Sequence, residues 1–229
     1  ATNIVTDSWP AYREVNQNLP AKASYFTKVR PTMTALRTSE YPIDKQFLER
    51  WSPRAFTQQP LTEEQVLTVL EAARWAPSAS NLQPWRFFYG LRGTPEFDIL
   101  LSLLVPFNEG WAKDAGALIF IASVTSFDGQ RQNVTNSFDA GSAFMSLSLQ
   151  AHSLGLVAHG MAGIEYDKVP VVLQFPENLK LEAAVAIGYQ GDASSLPDFL
   201  QAREAPSTRQ PLSDIVFNGH FTGEIKTPA

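Results

Sequence analysis

The chain contains no cysteine, which excludes disulfides, thiolate metal sites, cysteine nucleophiles and iron–sulfur ligation. Histidine is nearly as scarce. His152, His159 and His220 are the only three, far apart and without ligand spacing, so no metal site is expected, although carboxylates remain available to magnesium or calcium. Basic residues are outnumbered, 18 against 23, and the formal charge of −5 argues against a general nucleic-acid binder, which would carry a basic stripe. Long hydrophobic runs are missing too. The longest, "AGALIFIASV", is about half of the roughly 20 residues a membrane-spanning helix needs. The N-terminal stretch "ATNIVTDSWPAYREVNQNLP" has no basic start followed by an apolar run and does not read as a secretory signal. A cytoplasmic protein with neither nucleic-acid nor membrane partners is the expectation.

Familiar catalytic signatures are absent as well. The chain has no GxGxxG, no Walker-type phosphate loop, no Gly-x-Ser-x-Gly elbow, no Ser/His/Asp set and no carboxylates paired for glycoside hydrolysis. With no evident acid, base or nucleophile, the chemistry is expected to reside in a bound cofactor.

What remains is ordinary globular material: 229 residues, 44% hydrophobic and 18% charged, long enough to bury a sizeable core. Residues 1–44 read as an arm with one or two short helices, its aromatics placed for packing. Residues 45–229 read as the main domain. In "PLTEEQVLTVLEAARWAPS", Thr62 and Gln65 form a capping-box pattern and Pro77 marks the end of an amphipathic helix. "PWRFFYG" (84–90) reads as a strand, residues 95–104 and 108–114 as helices, and the apolar run 115–125 as a strand buried on both faces. Residues 134–154 give the longest helix. It is apolar or small on both faces, as expected deep in a core or at a subunit contact, and Gly155 is placed to cap it. "LVAHGMAG" predicts a strand entering a glycine turn, "EYDKVPVVLQF" a helix and "LEAAVAIGYQG" a strand. Residues 193–229 predict a proline-rich tail ending in an extended arm. The fold class is α+β, with a central mixed sheet flanked by helices.

Three stretches could carry ligand chemistry. In "FLERWSPRAF" (47–56) the side chains of Arg50, Ser52 and Arg54 share one side of an extended backbone, and two guanidiniums with a hydroxyl suit a phosphate monoester. The same stretch is also readable as a solvated turn before a helix. "APSASNLQPWRFF" (76–88) offers small residues, Asn81 and Gln83 for close backbone approach, or is simply a helix-to-strand loop between Pro77 and Pro84. In "AHGMAGIEYD" (158–167) the glycines expose backbone N–H groups in a nest. His159 there is expected to be a packed histidine rather than a base, and Asp114, Asp139 and Glu165 to be caps or surface charges.

Taken in order, "RWSPRAF", "PSASNLQPW", "NEGWAKDAGALIFIA", "AGSAFMSLSLQAHSLGLVAHGMAGIEYDKV" and "PSTRQPLSDIVF" resemble the FMN-dependent nitroreductase family over roughly residues 46–218. The resemblance implies a nitroreductase-like fold and an intertwined homodimer whose C-terminal arms (about 193–229) are exchanged. Arg50, Ser52 and Arg209 would grip the FMN phosphate, with Trp51 adding backbone contacts. Arg54 would stand at the flavin pyrimidine edge and stabilise the negative charge of the reduced ring, the one catalytic role assigned. Asn108 would bond the same edge, and the backbone of Met161, Ala162 and Gly163 would lie near N5. Pro77, Ser78 and Asn81 would approach from the partner chain. The implied activity takes hydride from NADH or NADPH and reduces a nitroaromatic, quinone or related small acceptor in a ping-pong sequence. Alternatives are a specialised flavoenzyme of the same fold acting on a defined metabolite, or a non-catalytic FMN-binding or storage protein. Gly160 and Ala162 stand where many relatives carry Pro and Glu. Trp111 replaces a basic residue of some members, leaving the pyrimidine edge less positive.

Overall fold

The structure, a computed structural model, describes residues 37–227; most of the arm expected at 1–44 lies outside the described residues. Eight helices and four strands occur among them: α1 (Gln46–Glu49), α2 (Glu63–Arg74), β1 (Trp85–Leu91), α3 (Pro95–Ser102), α4 (Pro106–Ala112), β2 (Ala117–Val124), α5 (Asn136–Ser153), β3 (Val157–Met161), α6 (Val169–Val172), β4 (Leu179–Gly188), α7 (Asp198–Gln201) and α8 (Leu212–Ile215).

Strand β2 organises the core because every one of its residues is buried. Alternation along the strand then sorts its side chains. Leu118 and Phe120 point to the face covered by α3 and α4, where they meet Phe97, Leu100 and Trp111. Ala117, Ile119 and Ile121 point to the opposite face, covered by α2 and α5 with Val66, Val69, Ala143 and Leu147. The result is a helix–sheet–helix sandwich. On α2 the expected capping box is present, with Thr62 and Gln65 each accepting from the other's backbone. Its buried stripe is Val66, Val69 and Ala73, and Leu67 is exposed. Gly155 ends α5 at φ +74°, a left-handed conformation that costs glycine no steric strain.

The sheet order is β1-β2-β4-β3, and all three pairings are antiparallel. A mixed sheet was expected, and the difference has a topological cause. Since β2 and β3 both run antiparallel to β4, they run parallel to each other, joined by α5 as in a βαβ crossover. Strand β4 inserts between them, a split βαβ arrangement, so no hydrogen-bonded neighbours are parallel. The helix expected over 165–175 is also shorter, restricted to Val169–Val172. Pro170 sits in its first turn, and a proline disfavours helical backbone in the residue before it.

Candidate anion and cofactor site

Beyond α1 the backbone straightens at Arg50 (φ −66°, ψ 127°) and runs extended to Phe56. Two contacts hold this segment from below. Phe56 pairs with Gln190 as an isolated antiparallel bridge, and its ring stacks on Trp111 with centroids 6.3 Å apart. Arg50, Ser52 and Arg54 line one cavity of about 270 Å³, as expected, and Trp51 lines it too. Arg50 Nη1 approaches Ser52 Oγ at 3.5 Å. The tail contributes Arg203, Ser207 and Arg209 to the same cavity, Arg37 enters from the N-terminal side, and His159 reaches in from β3.

Five guanidiniums around one cavity repel each other. Burial and then the charges of Arg209 and Arg50 push the Arg37 pKa below its ordinary value. Burial and then Arg209 do the same to Arg50. The Nε atoms of Arg37, Arg50 and Arg54 are buried without a hydrogen-bond partner among the described residues. Guanidinium nitrogens donate and never accept, so this donor-rich lining fits a multivalent anion such as a phosphate monoester. His159 adds no cation. Burial, then the nearby charge of Arg54, lower its pKa from 6.5 to about 4 against the opposing pull of the Pro53 and Ser52 carbonyls. Its Nδ1 lies 3.1 Å from the Pro53 carbonyl oxygen, which can only accept, so Nδ1 carries the proton in the neutral ring. The expectation of a packed histidine holds.

A second group lies further along β3. Gly163 follows the strand end, and its carbonyl accepts from Asn108 Nδ2 and from Val105 N, both at 3.1 Å. A Cβ on Gly163 would stand 2.5 Å from Asn108 Nδ2, so any larger residue there would displace the Asn108 amide. Asn108 is 8% exposed and spends one of its two amide donors on this turn. Met161, Ala162, Gly163 and Asn108 do not line the arginine cavity, but Met161 is two residues from His159 on one strand, about 7 Å away.

The third group stands apart. Pro77, Ser78 and Asn81 occupy the loop after α2 and are not among the residues lining the cavity. Ser78 Oγ accepts from Gln83 N at 2.9 Å. Ser80, Asn81 and Gln83 adopt φ of 51°, 56° and 47°, left-handed backbone that costs non-glycine residues of order 1 kcal/mol or more each. Asp139 holds this loop: both its oxygens lie 3.3–3.4 Å from Ala79 N, and it is 2% exposed. The expectation of a cap or surface charge is corrected for Asp139. It holds for Asp114 and Glu165, which pair with Lys113 and Lys168. Trp111, which stands in place of a basic residue, is a core residue, 2% exposed, stacked on Phe56 and tilted against His159 with centroids 4.7 Å apart.

Sequence reasoning assigned nothing to Arg37, Arg203, Glu204 or Ser207. A signal was present in the tail: Ser207 and Arg209 repeat the alternate hydroxyl–guanidinium spacing of Arg50 and Ser52. Arg37 had none. Among the described residues no cluster of three metal-ligating side chains occurs, and no helix is long and apolar enough to cross a membrane.

The fold has counterparts among known proteins. The Nitroreductase family profile matches residues 48–90 and 96–189, and the chain belongs to that family. It is similar to a crystal structure described as an oxidoreductase containing FMN, with a TM-score of 0.80 and 47% identity over 84% of this chain and 100% of the other. It is also 30% identical to an uncharacterised 15.4 kDa protein of Mycolicibacterium smegmatis over 59% of this chain and 97% of that one. An NADH dehydrogenase of Thermus thermophilus is 26% identical over 74% of this chain and 92% of its own length.

Proposed function

We propose that the protein is an FMN-dependent oxidoreductase that takes hydride from NADH or NADPH and reduces a small acceptor of the nitroaromatic or quinone class, the two substrates using one site in turn. The observation that carries the reading is the cavity of five arginines with buried, unpartnered Nε donors at 37, 50 and 54, in a member of a family whose relatives include an FMN-containing oxidoreductase. FMN bound there supplies the hydride chemistry, which no side chain of this chain offers.

The protein supplies binding, orientation and charge. Arg50, Ser52 and Arg209 hold the phosphate through charge-assisted bonds, with Trp51 packing beside them. Arg54 makes no side-chain hydrogen bond among the described residues. Its nearest partners are Glu204, with Nη1–Oε2 at 3.9 Å, and the Trp111 ring, 6.0 Å from Cζ. Its donors are therefore free to stabilise negative charge that develops during reduction. Asn108 fixes the Gly163 turn, so the backbone of Met161, Ala162 and Gly163 forms a preset edge beyond β3. Protons come from solvent.

A homodimer completes the reading. Phe138 on α5 is 78% exposed, although the helix buries Ala140, Ala143, Leu147 and Ala151 on its other side, so a second chain has an apolar surface to cover. Pro77, Ser78 and Asn81 then reach the partner's cofactor. The exchanged arm expected from about 193 starts later, because Leu196, Leu200 and Glu204 pack on their own chain, and the residues after Arg209 are left to embrace the neighbouring subunit. The test is the visible spectrum of the purified protein followed by anaerobic addition of NADPH and then NADH. A flavin spectrum that bleaches supports the proposal. A protein that is colourless and takes up no added FMN, or one that stays yellow with both donors, overturns it.

A further inference from the structure

One carboxylate stands behind the arginine cavity, and the mechanism above leaves it unused. The Glu204 side chain is 3% exposed. Its Oε1 accepts from two consecutive backbone N–H groups, Arg54 at 2.6 Å and Ala55 at 2.9 Å. Its Oε2 has no hydrogen-bond partner among the described residues and faces Arg54 Nη1 at 3.9 Å. A buried, half-satisfied carboxylate is costly, so the contacts it does make need a purpose.

That purpose is legible in the chain path. Arg203, Ser207 and Arg209 line the cavity, yet Ser207, Thr208 and Arg209 are themselves exposed and lie outside any helix or strand. The nearest buried anchors upstream of Arg209 are Glu204, five residues back, and Leu200, nine residues back. Glu204 is thus the last buried side-chain anchor before Ser207 and Arg209, within about 17 Å of extended chain from Arg209. The clamp also grips the segment that carries Arg54, so cations from the two ends of the chain meet in one cavity, with a negative charge beside them to offset their repulsion.

We propose that Glu204 is a positioning residue of the anion site, a latch that ties the tail arginines to the Arg54–Ala55 backbone so that both act on the same phosphate-bearing ligand. This rests on the reading of the cavity as the FMN phosphate site.

The test is a double-mutant cycle on the full-length apoprotein, with FMN dissociation constants measured by flavin fluorescence for wild type, Glu204→Ala, Arg209→Ala and the double variant. Each single substitution is expected to weaken FMN about tenfold or more, and the double variant to lose at least about threefold less than the product of the single losses, because both remove one shared contact. Losses that multiply overturn the latch, as does an unchanged affinity in Glu204→Ala. Glu204→Asp, which keeps the charge but is one methylene too short to span both N–H groups, takes the place of alanine in the cycle if that variant does not fold. Wild-type protein that fails to bind FMN overturns the cofactor reading itself. Binding with multiplicative losses overturns only the latch.

Discussion

The arginine cavity and the Pro77–Gln83 loop are both departures from comfortable structure, but of opposite kinds. In the cavity the backbone is relaxed and the side chains are frustrated: like charges crowd together, and three guanidinium Nε atoms lack partners among the described residues. In the loop no buried side-chain polar atom lacks a partner, but the backbone is strained, with three non-glycine residues at positive φ beside the Asp139–Ala79 contact. Electrostatic frustration is relieved by an anion, and one chain assembles everything needed to receive it. Backbone strain presents a shape, and nothing within the same chain's cavity meets that shape. Under the proposed function, the first region is the phosphate site that one chain builds, and the second is a surface for the proposed partner subunit.

That contrast can be broken at either end. The largest effect is expected at Arg54. Arg54→Ala removes the charge proposed for the flavin's pyrimidine edge and should slow anaerobic flavin reduction by about 2 to 4 kcal/mol of barrier while changing FMN affinity far less; stopped-flow rates equal to wild type would remove that role. Next in size is a pH effect that isolates the cavity wall. His159 takes up a proton near 6.5 when unfolded and about 4 when folded, so its contribution to stability is full above pH 6.5 and is lost as pH falls towards 4. The loss is up to about 3 kcal/mol. Urea titrations across that range should show the slope, and His159→Asn should flatten it.

Arg50→Ala should cost about 1.5 to 3 kcal/mol of FMN affinity, the worth of a charged hydrogen-bonding partner, with unfolding of the apoprotein unchanged or slightly improved because a repelling cation is gone. Retention of stoichiometric flavin through dialysis in that variant would count against the phosphate assignment. The smallest effect belongs to the loop. Ser80→Gly relieves a left-handed residue and should stabilise the apoprotein by at most about 1 kcal/mol, without altering FMN affinity in the cavity. A large loss of affinity there would show that the two regions are not separable.

Much of the α+β sandwich was legible because burial leaves periodic traces. The two-faced strand at 117–124, the capping box at Thr62 and the glycine end of α5 follow from local pattern alone. Sheet direction was not legible, since β4 follows β3 in sequence but inserts between β2 and β3 in space, and no local signal reports an insertion. Half of the arginine cavity was equally plain in the alternation of Arg50, Ser52 and Arg54. The other half was hidden because Arg37 and Arg203 lie far from it in sequence with no pattern of their own. Glu204 carried no signal of its own, because its burial is a product of the tail's path. Asp139 misled for the same reason: in the first turn of a helix it reads as a local cap or surface charge, and it does accept from Thr135 Oγ1, but it is buried and also meets the Ala79 amide, 60 residues away.

The central claim is that the five-arginine cavity exists to hold a phosphate. Titration of the full-length apoprotein with FMN and, in parallel, with riboflavin tests it most directly, because the two flavins differ only in that group. The account predicts that FMN binds at least about 100-fold more tightly, roughly 2.7 kcal/mol, with the advantage shrinking in Arg50→Ala. Equal affinities for the two would contradict it.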